Sequence, residues 1–146
     1  MDNVLTLPRH GDHIFVVRRA TDLRLPYLHH GILDRSTRKA TVIHLGGRPG
    51  RSKRGARVRR DSLRDFARGS RVYVWPHNPA NVLPPEEVVT RAASRIGHGG
   101  YDMLWNNCEH FAWWAKAGKP RSLQVVVGDR LLALVVTVGQ KLFNPS

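Results

Sequence analysis

The chain has 146 residues, enough for one domain with its own core. Its single cysteine excludes an internal disulfide framework and any cysteine-rich zinc or iron–sulfur site. A formal net charge of +13, from 24 Lys and Arg against 11 Asp and Glu, favours contact with polyanions such as phospholipid headgroups, nucleic acid or acidic polymers, without choosing among them.

Residues 1–8 lack the basic-then-apolar layout of a signal peptide. No run of ~18 apolar residues occurs, so no conventional spanning helix is expected. Together these point to a cytoplasmic protein that touches membranes peripherally. Gly11-Asp12 reads as a turn, and residues 13–18 as a strand carrying Ile14, Phe15, Val16 and Val17. Residues 27–33 and 40–45 read as two further strands, joined by the short polar stretch 34–39. Residues 46–50 close this block with three glycines and Pro49.

From Arg48 to Arg71 basic residues dominate, with Asp61 and Asp65 the acids among them. The first half reads as an exposed loop, and residues 48–60 as a basic insert. Residues 62–66 suggest a helical turn closed by Gly69, residues 71–75 a fourth strand, and residues 77–84 a loop. Pro85-Glu86-Glu87 suits a helix start. Val88, Ala92 and Ile96 then recur at helical spacing until Gly97. After Gly99-Gly100 comes a helix running to about Lys116 and closed by Gly118, with Asn106 and Glu109 at capping-box spacing. The tail, about residues 123–143, is apolar in two pieces separated by Gly128-Asp129-Arg130. It reads as buried or as membrane-contacting, and each piece is too short to span a bilayer.

Cys108 opens that last helix. A thiol has a free pKa of about 8.5, and unpaired N–H groups with the positive end of a helix favour its thiolate. Helical spacing aligns Cys108 with Phe111, Ala112 and Ala115, and the small alanines suit close approach to a sheet. A cysteine nucleophile needs an imidazole to take its proton and later deliver it. His29 stands mid-strand beside Gly31, and His44 in the neighbouring strand can fix its tautomer. His30 points to the opposite sheet face. A Cys near a helix start is more often an ordinary small buried residue, and histidines such as His29 and His44 are more often satisfied core residues. Zinc ligation would suit Cys and His, but no compact ligand-pair spacing supports it.

The strings Gly11-Asp12-His13-Ile14, Tyr27-Leu28-His29-His30-Gly31-Ile32, Val42-Ile43-His44-Leu45, Gly100-Tyr101-Asp102 and Asn107-Cys108-Glu109-His110-Phe111 together resemble the lecithin:retinol acyltransferase-like (LRAT-like) domain family. The resemblance covers about residues 10–127. It implies a permuted papain-like α+β fold: an antiparallel sheet, packed on a cysteine-bearing helix, in one domain over residues 1–146. It matches Cys108 to the nucleophile, His29 to the general base and His44 to the third polar residue. Tyr27 and Asn107 become candidates for substrate or oxyanion contact. The implied activity is that of a thiol-dependent phospholipid acyl hydrolase or acyltransferase, acting through an acyl-thioester on Cys108, with no metal or organic cofactor. Arg51, Lys53, Arg54 and Arg57 would then meet an anionic membrane face. Typical members carry an aromatic residue at position 30 and a longer apolar C-terminal helix, and the basic insert lies outside the shared pattern. Two other classes stay open on the residues alone. One is a papain-like amidase or peptidase with a polar groove. The other is a non-catalytic module binding membrane or RNA through its basic loop.

Overall fold

A computed structural model describes residues 7–19, 26–46, 55–99 and 108–118. Four strands, β1 (His13–Arg19), β2 (Pro26–Asp34), β3 (Thr41–Gly46) and β4 (Arg57–Ser62), follow one another as an antiparallel meander, and β5 (Tyr73–Val74) pairs with the free side of β1. The sheet order is β4-β3-β2-β1-β5. Three α-helices, α1 (Leu63–Ala67), α2 (Pro85–Ala93) and α3 (Cys108–Ala117), and a 3-10 turn at Pro79–Asn81 complete the described fold. The fold is α+β, an antiparallel sheet with packed helices, consistent with the papain-like arrangement implied by the sequence.

Alternation along the strands divides the apolar residues between two faces. One face presents Ile32, Ile43, Leu45 and Val58 to Val88, Val89 and Ala92 of α2 and to Phe111, Ala112 and Ala115 of α3. The other presents Ile14, Val16, Leu33 and Val42 to Phe66 of α1. Phe66 is fully buried, a contribution of about 1.5–3 kcal/mol from its apolar surface. Gly31 is required where β2 crosses β3, because a Cβ there would lie 2.5 Å from a methyl of Val42.

The short α1 is held by its ends. Ser62 Oγ accepts from the Asp65 N–H at 3.0 Å, which satisfies one of the helix's orphan donors. At the other end Arg68 takes a left-handed conformation, φ 49°, and its N–H donates to Arg64 O. For a residue with a Cβ this conformation costs about 1–2 kcal/mol.

Three sequence expectations change. Residues 57–60, read as loop and insert, belong to β4. Val58 is buried under α2 and α3 while Arg57, Arg59 and Arg60 are exposed, so one apolar residue among arginines is enough for an outer strand. The strand expected over 71–75 shrinks to Tyr73–Val74. The helix expected to run to Gly97 stops at Ala93, and Ile96 lies beyond it with 41% of its surface exposed. The apolar tail, the Gly100-Tyr101-Asp102 string and the proposed Asn106 cap lie outside the described residues.

Candidate active site

β2 and β3 bring His29 and His44 together on the Phe66 face. His29 Nε2 lies 2.9 Å from His44 Nδ1, and His44 Nε2 lies 2.8 Å from Asp61 Oδ2. Asp61 reaches His44 from β4, and Arg59 binds its other oxygen through Nη2 at 2.7 Å and Nε at 3.0 Å. Burial pushes the Asp61 carboxyl up, but hydrogen bonds from His44 and Arg59 outweigh it and hold the group below the ordinary carboxylate range. An ionised Asp61 only accepts, so the proton on His44 sits on Nε2. His44 Nδ1 is then the acceptor, and His29 Nε2–H donates to it. The proton-accepting position of His29 is therefore Nδ1. Phe66 covers both rings, with centroid separations of 5.2 Å from each.

Burial first, then the neighbouring Arg18 and His44, lowers the His29 pKa to about 2. The ring is neutral at rest. It can take a proton readily only when a negative charge develops beside it. Burial also lowers His44, and the Asp61 contact opposes that shift.

Cys108 is the first residue of α3 and half-buried, and it packs against the core that includes Phe111, Ala112 and Ala115. Its Sγ lies 3.8 Å from the carbonyl oxygen of Leu28, the residue before His29. The cysteine helix packs on the sheet as expected. Strand alternation nevertheless sends the His29 and His44 rings to the face away from the body of α3. The thiol meets β2 at the end that carries His29.

Arg18 connects these groups. It faces Tyr27 across the β1–β2 register, and Nη2 donates to Phe66 O at 2.7 Å. Burial, then Arg68, lowers its pKa, while interactions with Tyr27 and Cys108 raise it. The guanidinium is thus close enough to interact electrostatically with His29, Tyr27 and Cys108.

A family profile described as lecithin retinol acyltransferase matches residues 6–121. The chain belongs to the lecithin retinol acyltransferase family. Proteins named lecithin retinol acyltransferase from Homo sapiens and Bos taurus are each 39% identical to it, over 72 and 74 residues. These alignments cover 47% and 49% of this chain, and 31% and 32% of the relatives. That from Rattus norvegicus is 39% identical over 79 residues, covering 52% of this chain and 34% of its own. The chain spans about a third of the length of the curated relatives it matches.

Of the residues singled out in the sequence, His29 and His44 are hydrogen-bonded, Cys108 abuts the same strand end, and Tyr27 is 42% exposed on β2. Arg57 is exposed at the start of β4, and its Nη1 donates to Gly97 O at 3.0 Å. Asn107, Arg51, Lys53 and Arg54 lie outside the described residues. Sequence reasoning missed Asp61 and Arg18. Asp61 was visible only as an acid among arginines, and nothing but the β3–β4 register places it on His44. Arg18 was visible as a cation ending an apolar strand.

His30 is on the helix-covered face, in a separate chain of imidazoles. His13 Nε2 lies 2.8 Å from His30 Nδ1, and His13 Nδ1 lies 2.8 Å from His77 Nε2. Trp75 stacks on His13 and packs at a tilt on His30, and Trp113 packs at a tilt on His77. Among the described residues no group of three His, Cys, Asp or Glu side chains converges as a metal-binding set. No helix of the described residues is long and apolar enough to cross a membrane.

Proposed function

We propose that this chain is a thiol-dependent acyl hydrolase or acyltransferase acting on glycerophospholipids. The observation that supports the proposal is the hydrogen-bonded chain His29–His44–Asp61, with Cys108 against the end of the strand that carries His29; in the proposal His29 Nδ1 is the base. Family membership supports a lipid acyl substrate, since the relatives are named for an acyl transfer from lecithin.

In this reading the Cys108 proton passes to His29 Nδ1 as sulfur attacks an ester carbonyl carbon. The positive charge that His29 gains is balanced by the charge moving from sulfur to the carbonyl oxygen. Backbone N–H groups at the start of α3 and the Tyr27 hydroxyl stabilise that oxygen. The intermediate collapses with loss of the C–O ester bond, and His29 returns its proton to the leaving lysophospholipid oxygen. The acyl group is left as a thioester on Cys108. Water, an amine or an alcohol then attacks the thioester, giving its proton to His29, which passes it to the departing sulfur. His44, held by Asp61, keeps the His29 ring in the required tautomer throughout. No metal or organic cofactor is needed for these steps. Arg57, with Arg51, Lys53 and Arg54 from the neighbouring basic stretch, would hold the protein on an anionic membrane face.

Intact-mass spectrometry after incubation with phosphatidylcholine tests the reading. One fatty-acyl mass is expected at Cys108 and none in Cys108→Ala. Absence of both adduct and lipid turnover across several headgroups would overturn it.

A further inference from the structure

A cation on the Phe66 face meets a phenol and a thiol, Tyr27 and Cys108, but no carboxylate among the described residues. Arg18 is half-buried, and among the described residues no carboxylate pairs with it. Its Nε is buried with no hydrogen-bond partner among the described residues, although Nη2 reaches Phe66 O. A desolvated guanidinium with an orphan donor is costly unless something negative arrives. Two residues beyond Phe66, Arg68 caps α1 with a positive φ, a backbone that a glycine would adopt without strain. Arg68 is exposed, and likewise has no carboxylate partner among the described residues. The end of α1 that bears it lies over His29 and Arg18, through Phe66. A strained arginine close to a half-buried one that no described carboxylate pairs with is a reason to look for a ligand.

We propose that Arg18 and Arg68 form a phosphodiester-binding subsite beside Tyr27 and His29, with Arg18 as its wall and Arg68 as its rim, which holds the headgroup phosphate of the substrate while the ester carbonyl lies at Cys108. The inference rests on the phospholipid reading above and names how that substrate is recognised. Guanidinium groups match phosphate oxygens in charge and bidentate geometry. In a glycerophospholipid only the glycerol carbons separate the phosphate from the esters, so a phosphate subsite must lie near the nucleophile, and Arg18 is near enough to Cys108 to interact with it electrostatically. Arg68 lies near enough to disfavour positive charge on both Arg18 and His29. A bound phosphate offsets both guanidinium charges, and so makes His29 a stronger base only once substrate is in place.

The test uses Arg68→Gly, whose backbone suits the αL position, and Arg68→Lys, which keeps the charge without the fork. The first readout is kcat/KM for a phosphatidylcholine dispersed in neutral detergent, relative to that for an uncharged acyl ester lacking phosphate. The ratio should fall at least ~10-fold in Arg68→Gly, mainly through KM, and less in Arg68→Lys. An unchanged ratio would overturn the subsite. The second readout needs no turnover: binding of glycerophosphocholine and of inorganic phosphate to the intact protein, followed by phosphorus NMR. The diester should bind the wild type more tightly than inorganic phosphate does, and Arg68→Gly should lose that binding. Equal or tighter binding of inorganic phosphate would overturn the assignment to a lipid phosphodiester, as would binding that Arg68→Gly leaves intact. Diester binding that persists without any acyl transfer would support the subsite while contradicting the enzyme reading.

Discussion

His29 can act as a base only if its proton is on the right nitrogen. The tautomer is dictated two residues away in space, by the ionised Asp61 on His44 Nε2. Asp61→Asn replaces a pure acceptor with a group that can donate to Nε2. His44 would then hold its proton on Nδ1 and donate to His29 Nε2, which forces the His29 proton onto Nδ1 and blocks the base. The expected loss in kcat is roughly 10²–10⁴-fold, with Asp61→Glu far less affected. Steady-state kinetics on one ester substrate would show it, and equal activity of the Asn and wild-type proteins would contradict the relay. At this scale the sequence singled out Cys108, His29 and His44, because their residue types and local strings are chemically distinctive, and the structure hydrogen-bonds the two histidines and sets Cys108 against the strand that carries His29. Asp61 and Arg18 were illegible for a physical reason. An acid among arginines reads as a solvated salt bridge, and a terminal strand arginine reads as solubilising. Only strand register turns those two side chains toward the histidines.

At the scale of elements, α1 acts as the lid of the histidine face. Phe66 touches both imidazole rings and closes the apolar cluster of Ile14, Val16, Leu33 and Val42. Phe66→Ala should destabilise the protein by about 3–5 kcal/mol, measured by urea unfolding. It should also admit water to His29, which weakens the burial that keeps the ring neutral. Phe66→Leu, with most of the volume kept, should recover much of the stability. A loss below about 1 kcal/mol in the alanine variant would show that α1 is not a packed lid. The element pattern was legible where apolar residues alternate densely, as in 13–18 and 27–33. It failed for β4, where the burial signal is Val58 alone. It overran at α2, because helical spacing continues to Ile96 in the sequence while the backbone leaves the helix after Ala93.

For the whole molecule, a buried and a half-buried neutral histidine set the response to acid. His29 is lowered to about 2 and His77 to about 4, both from an ordinary value of 6.5 and mainly by burial. The unfolded chain therefore binds protons first as pH falls below 6.5. Stability is fully present above that pH. It declines as pH drops toward about 4, where His77 also protonates in the native state, and continues to fall toward about 2 through His29. Asp34 and Asp61, held below the ordinary carboxylate range, act in the same direction at the acid end. Thermal midpoints should be flat near neutrality and decline below pH 6.5. A midpoint constant down to pH 4.5 would contradict this account of burial. The net charge of +13 adds a second global property. Binding to vesicles rich in phosphatidylserine should weaken steeply between about 0.05 and 0.5 M salt, as followed by co-sedimentation, and binding insensitive to salt would argue against electrostatic attachment. The α+β class, the antiparallel sheet and the sheet-packed cysteine helix were legible from periodicity and from the family strings. That the imidazoles face away from the helix body was not, because strand parity becomes visible only when the cores on both sides are known.

The central claim is that His29 delivers the reactivity of Cys108. The most direct measurement is the rate at which the acyl-thioester forms, by rapid quench and intact-mass spectrometry, in the wild type and in His29→Gln. The account predicts a Cys108 adduct in the wild type that forms roughly 10²–10⁴-fold more slowly in the variant. Equal rates in the two proteins would contradict it.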